Sequence, residues 1–183
     1  MKKALVIFSD GVEEVEAISV IDLLRRAGIE VTTSSISGDK VTGSHNITIF
    51  ADTQIDEIAD LEFDIIILPG GPGTKNLRES EKVIDIVQRH HANGKYIAAI
   101  CAAPTVLNKA GILSGKSVTS YPAEEKTFTD SSYFYKNVVV DNNIITSRAA
   151  GTALDFSIKL IEILAGKKKA DEVAEKILYS TNN

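Results

Sequence analysis

The sequence predicts a three-layer α/β sandwich, a mostly parallel sheet covered by helices on both faces. Three observations lead there. Short apolar runs of strand length alternate with longer runs of helical spacing along the whole chain. Several of the strand-like runs, such as ALVIF and IIIL, are continuously apolar, as strands buried on both faces require. No internal repeat, low-complexity tract or Pro/Gly/Ser-rich linker divides the 183 residues, so one domain spanning 1–183 is expected.

The elements follow in order. KALVIF, from Lys3 to Phe8, is a buried strand, β-branched at its centre. EVEAISVIDLLRRAG is a helix, with Val15, Ile18, Ile21, Asp22 and Arg25 at helical spacing and Gly28 as its stop. EVTTSSI is a second strand, and the turn-rich SGDKVTGSHN leads into ITIFAD as an additional one. FDIIILPGG is a further buried strand ending in a glycine turn. SEKVIDIVQRHHANG is a helix capped by Ser80 and stopped by Gly94. The strand KYIAAI then runs into a helix beginning near Ala102, followed by the strand KSVTSY. NVVVDNNIITSR reads as a hairpin around Asn142 and Asn143, because asparagine tolerates the positive φ of tight turns. GTALDFSIKLIEILAG and KADEVAEKILYS close the chain as helices.

Composition narrows the function classes. The chain is 44% hydrophobic and 25% charged with a net charge of -5, which disfavours nucleic acid as a partner. The apolar run ALVIF is too short for a signal-peptide core, and no segment is long enough to span a membrane. One cysteine permits no intramolecular disulfide, which fits a reducing cytoplasm. His45, His90 and His91 lack metal-ligand spacing, so no metal is expected; His90 and His91 suit the C-terminal dipole of their helix. GGPG matches neither a dinucleotide fingerprint nor a Walker loop.

In sheets of this kind ligands bind beyond the carboxyl ends of the strands. Three such ends carry chemistry: Glu13, Glu14 and Glu16 after the first strand, Gly70 and Gly71 in LPGG, and Cys101 where KYIAAI turns into a helix. A thiol at that elbow would lie near free N–H groups that favour a thiolate and can hold an oxyanion. Each feature has a plain alternative. Cys101 can be buried packing, the glycines a tight turn, and the glutamates partners of a helix dipole.

AAICAAPTVL, together with LPGG, EEVEA, LLRRAGI and TSRAAGTALDFSIKLIEILAG, resembles the ThiJ/PfpI superfamily and within it the DJ-1-like branch, in a bacterial-type form. The resemblance runs in order from about Lys3 to Gly166. It implies a flavodoxin-like sandwich, a homodimer and no cofactor. It also implies a reactive Cys101 paired with Glu16, with Gly71 and Ala102 as backbone N–H donors and Gly70 and Tyr121 beside the substrate. The activity implied is glutathione-independent and metal-independent chemistry on small 2-oxoaldehydes or their glycated adducts, of glyoxalase III or deglycase type. A redox-sensing or chaperone-like role for the same cysteine is the alternative. Two departures bear on this. Ala102 stands where peptidase-like members have histidine, which argues against amide hydrolysis, and Tyr121 stands where some relatives have histidine. His45 falls where human-type members carry an arginine at the dimer contact, so it is expected to approach Glu13 of a second copy.

Overall fold

The computed structural model describes residues 1–58 and 61–180. The chain opens with β1 (Lys3–Phe8), α1 (Glu14–Arg26) and β2 (Glu30–Ser35), a βαβ unit in which β1 and β2 pair in parallel. A small antiparallel hairpin, β3 (Lys40–Thr42) and β4 (Thr48–Phe50), follows, then β5 (Thr53–Gln54). Next come β6 (Ile65–Leu68), α2 (Thr74–Glu79), α3 (Glu81–Ala92), β7 (Tyr96–Ile100) and α4 (Pro104–Lys109). The last third holds β8 (Ser117–Val118), β9 (Ser132–Tyr133), β10 (Val138–Asp141) and β11 (Ile144–Ser147). It ends in α5 (Ala153–Ala165) and α6 (Lys167–Lys176).

The main sheet has the order β10-β11-β7-β6-β1-β2-β5, parallel except for β10. This is the expected flavodoxin-like sandwich. Side chains alternate across β1, and both sides are buried. Ala4, Val6 and Phe8 pack with Val20, Leu24, Phe156 and Leu160 of α1 and α5. Leu5 and Ile7 pack on the other face with Val83, Val87, Val106 and Leu107 of α3 and α4. That two-sided burial is why ALVIF carries no polar alternation. Because β1, β6 and β7 are neighbours in register, the loops after Phe8, Leu68 and Ile100 meet at one edge.

The structure sharpens four of these readings. In α1, Val15 and Ile18 are 51% and 46% exposed, while Glu14, Glu16, Ala17, Val20, Ile21, Leu23 and Leu24 form the buried face. The helix is rotated so that two glutamates meet buried N–H donors, an arrangement that an apolar-periodicity argument cannot register. ITIFAD does not extend the main sheet as a unit. Thr48–Phe50 folds back on Lys40–Thr42 through a turn with Asn46 at φ 63°, and only Thr53–Gln54 reaches β2. The elbow helix starts at Pro104, where the missing N–H costs nothing, so Cys101 and Ala102 lie in a turn ahead of it. Finally, KSVTSY is a strand only over Ser117–Val118, paired with Ser132–Tyr133 outside the main sheet. Its later N–H groups are used elsewhere: that of Thr119 donates to the Thr146 hydroxyl at 3.0 Å, and that of Tyr121 to the Cys101 carbonyl at 2.8 Å. The hairpin at Asn142 forms as expected, with Asn142 at φ 54°. Among the described residues no helix is long and apolar enough to cross a membrane.

Candidate active site

Cys101 adopts φ 63°, a left-handed conformation that a side chain occupies only when its surroundings enforce it. The surroundings are visible. The Cys101 N–H donates to the Ser147 carbonyl at 3.0 Å, its carbonyl accepts from the Tyr121 N–H at 2.8 Å, and the Ala103 N–H turns back to Ile100 at 3.0 Å. Three segments thus pin one strained residue and leave its half-buried thiol at the strand end.

Glu16 comes from α1 and is fully buried. The Gly70 N–H donates to its Oε2 at 2.8 Å, and the buried Oε1 has no partner. Gly70 lies between the two functional groups. A Cβ there would sit 2.6 Å from the Cys101 Cβ, 2.8 Å from Glu16 Oε2 and 2.9 Å from the Ile100 carbonyl, so only glycine lets the carboxyl approach the thiol. Gly70 was expected beside the substrate, in the group of oxyanion or substrate-binding residues. Its N–H is instead committed to Glu16, and it acts as the spacer that positions the carboxyl. Gly71, at φ 90°, has the same tightness against the Glu13 N–H and the Gly11 carbonyl, and the Gly70 carbonyl accepts from the Glu13 N–H at 3.0 Å.

The backbone N–H groups of Gly71 and Ala102 face the sulfur and pull its pKa down. The net direction is nevertheless upward, which corrects the expectation of a depressed thiol. Burial, then the Glu16 charge and its hydrogen bond, push Cys101 up to about 12. Burial likewise pushes Glu16 up to about 7, against the lowering effect of the Gly70 N–H and the thiol. The physical reason is that two buried acids side by side cannot both ionise. The pair holds one proton over the range between the two values. When that proton resides on Glu16, the repulsion vanishes and the two N–H groups favour the thiolate.

The thiol opens into a cleft of about 420 Å³ lined by Gly71, Thr74, Arg78, Ala102 and Tyr121. Tyr121, 47% exposed, forms part of its wall. A second cleft, of about 350 Å³, lies at the opposite edge of the sheet beside Leu5, Phe63 and His90. Burial holds His90 down at about 4, so it is neutral near pH 7 and is not the dipole partner expected of it.

His45 meets two carboxylates within its own chain. Its Nδ1 lies 3.1 Å from Glu14 Oε2 and 3.6 Å from Glu13 Oε1 of its own chain. Spacing gave no hint of this cluster, because His45 arrives by the β3–β4 turn. The signal that could have found it is Gly43 in TGSHN, where a Cβ would meet the Glu14 carboxylate at 2.2 Å. Thr74 and Arg78 on the cleft wall were also missed, since nothing in TKNLRE marks them as facing Cys101.

The profile of the DJ-1/PfpI family matches residues 2–163. The chain belongs to the DJ-1/PfpI family. It is 47% identical to protein dj-1beta of Drosophila melanogaster over 99% of both chains. The crystal structure of that fly protein superposes with a TM-score of 0.96 at 46% identity, covering 98% of this chain and 99% of the other. An oxidized Toxoplasma gondii DJ-1 gives 0.96 at 38% identity, covering 99% of this chain and 100% of that one. A Caenorhabditis elegans relative named glutathione-independent glyoxalase DJR-1.2 is 34% identical over 96% of each chain. These relatives are eukaryotic, so their similarity does not favour the bacterial-type branch.

Proposed function

We propose that the protein converts methylglyoxal and related 2-oxoaldehydes to 2-hydroxy acids, using Cys101 and Glu16 with no glutathione, metal or cofactor. The observation that carries this reading is the buried Glu16 carboxyl, raised to about 7 and held beside Cys101, whose thiol opens into the cleft. The Cys101 sulfur adds to the aldehyde carbon, and its proton passes to the new oxygen to give a hemithioacetal. The Glu16 carboxylate takes the proton from that carbon, forming an enediolate, and returns it to the neighbouring carbon while the hydroxyl proton shifts to the enolate oxygen. The result is a 2-hydroxyacyl thioester on Cys101, which water hydrolyses to lactate and the free thiol. The Gly71 and Ala102 N–H groups stabilise negative oxygen during these steps. Glycated adducts that release the same aldehyde would enter the same route, which is the deglycase form of the activity.

The name of the nematode relative supports this class of reaction. The test is lactate formation from methylglyoxal, without glutathione and with a chelator, by wild type, Cys101→Ser and Glu16→Gln. Loss of at least about 100-fold in both variants is expected. Full activity in either would sink the mechanism. A second reading rests on the unpartnered Glu16 Oε1 and on the oxidized state of the Toxoplasma relative. Cys101 would serve as a peroxide sensor whose sulfinate accepts a hydrogen bond from protonated Glu16. Mass spectrometry after mild peroxide decides it: no selective oxidation of Cys101 removes the sensor.

We further propose a cytoplasmic homodimer. Val15, Ile18, Ile47 and Phe50 are 46–72% exposed, and the contacts of Glu14 with His45 and Ile47 bring α1 and the β3–β4 hairpin together. Light scattering on Val15→Asp/Ile18→Asp tests this; a variant that stays dimeric excludes this face.

A further inference from the structure

The cleft above Cys101 carries a feature that methylglyoxal does not use. α2 places Thr74 and Arg78 one helical turn apart, at i and i+4, so both face the cleft. Thr74 is 4% exposed, and its Oγ1 is buried without a hydrogen-bond partner. Such a group costs free energy unless something supplies a partner. Arg78 is half-buried and makes no hydrogen bond or ion pair among the described residues. Glu79, Glu81 and Asp85 line the groove on its far side, yet none pairs with it. Lys75 adds a second cation at the rim, engaged only at 3.9 Å with Glu79. Against these stand two carboxylates of the same cleft. Glu13 is occupied by the Ser44 hydroxyl and His45, and Glu124 sits beyond Tyr121 in the Pro122–Thr127 turn.

A hydroxyl that lacks a partner and a guanidinium that lacks a counter-charge, side by side in the wall of a reactive site, are complementary to one kind of group. We propose that Thr74 and Arg78 form a subsite for a carboxylate borne by the substrate, so that the preferred substrates are 2-oxoaldehydes, or adducts of them, with an anionic tail. Arg78 makes the charge-assisted contact and Thr74 donates its hydroxyl hydrogen, while the aldehyde lies at Cys101. Glu124 on the opposite wall turns the tail toward α2. The substrate class rests on the carbonyl reading above; the subsite itself does not, because any carboxylate reagent aimed at Cys101 would sense it.

Two measurements separate these. The first compares kcat/KM for 4,5-dioxopentanoate, a 2-oxoaldehyde with a terminal carboxylate, against methylglyoxal. Wild type is expected to favour the carboxylate compound by at least about tenfold, the factor one charge-assisted hydrogen bond supplies. Arg78→Gln should erase that ratio, Arg78→Lys should restore part of it, and Thr74→Val should reduce it. The second measurement needs no turnover: the rate of Cys101 alkylation by iodoacetate relative to neutral iodoacetamide, in wild type and Arg78→Gln. The ratio should fall in the variant and should fall in wild type as salt screens the charge. A wild type that turns over methylglyoxal without preference for the carboxylate compound overturns the substrate class while leaving the carbonyl reading intact. A wild type inactive on both compounds refutes the carbonyl reading, and the alkylation ratio then decides the subsite alone. An alkylation ratio unchanged by Arg78→Gln overturns the subsite.

Discussion

Glu14 and Glu16 leave the same helix within its first turn, both are buried, and they are driven in opposite directions. At i and i+2 they cannot share a face. Glu14 turns to the β3–β4 turn, where its carboxylate accepts from the His45 N–H at 2.8 Å, the Ile47 N–H at 3.3 Å and the Ser44 hydroxyl at 3.1 Å. Burial alone would raise it, but its own backbone N–H, the His45 N–H and ring, and the Ile47 N–H outweigh burial and hold it at about 2. Glu16 turns to the end of the sheet, meets one N–H and one thiol, and is left at about 7. Burial therefore does not set the role of an acid; the donors that meet it do. One glutamate stays charged across the neutral range, and the other changes its protonation within it.

The largest effect should separate the two in activity. Glu16→Gln is expected to lower lactate formation by at least about 100-fold, and Glu14→Gln to leave it within about threefold. A comparable loss in both would mean that the carboxylates serve only to hold the fold. Next in size is stability. Glu14→Leu strands the His45 and Ile47 N–H groups and should cost about 1–3 kcal/mol per orphaned donor, measured by urea unfolding near pH 7. Gly70→Ala should cost about 1–3 kcal/mol and slow the alkylation of Cys101, because its methyl presses on the Ile100 carbonyl as well as on the Cys101 Cβ.

The pH dependence has opposite signs for the two groups. Glu14, depressed from 4.5 to about 2, contributes stability that is complete above 4.5 and lost as pH falls toward 2. Glu16, raised from 4.5 to about 7, binds its proton more tightly in the folded state, so its contribution is full below 4.5 and declines as pH rises through 7. Unfolding across that range should show Glu16→Gln gaining on wild type between pH 4.5 and 7, and Glu14→Gln converging with wild type at the acid end. The smallest effect is expected at His45, whose pKa is raised by Glu14 and then Glu13 but whose ring is exposed. His45→Gln should shift unfolding slightly, and less in high salt.

The same contrast explains what could be read in the sequence. The mostly parallel sheet with helices on both faces followed from apolar runs whose two-sided burial is written in every letter of ALVIF and IIIL. Cys101 and the Glu13–Glu16 cluster were legible as strand-end candidates, and the family resemblance singled out Glu16 as the partner of Cys101. Missing were the features set by long-range backbone hydrogen bonds. The Tyr121 N–H that braces the Cys101 carbonyl breaks up the expected strand, and the turn that brings His45 to Glu14 depends on Asn46 at φ 63°. The rotation of α1 was hidden for the same reason, since its buried face is partly acidic. The direction of the thiol shift was also hidden, because the N–H groups that lower it are local while the desolvation that raises it comes from the assembled fold.

The central claim is that Cys101 and Glu16 share one proton. The rate of Cys101 alkylation by iodoacetamide, followed from about pH 5 to about pH 10 in wild type and Glu16→Gln, tests it directly. In wild type the rate should rise through about 7, where the pair loses its first proton, and then level off, since full ionisation of the thiol waits until about 12. In Glu16→Gln the step near 7 should vanish, leaving a single thiol titration below 12. One step near the ordinary thiol value of 9.0, the same in both proteins, would contradict the account.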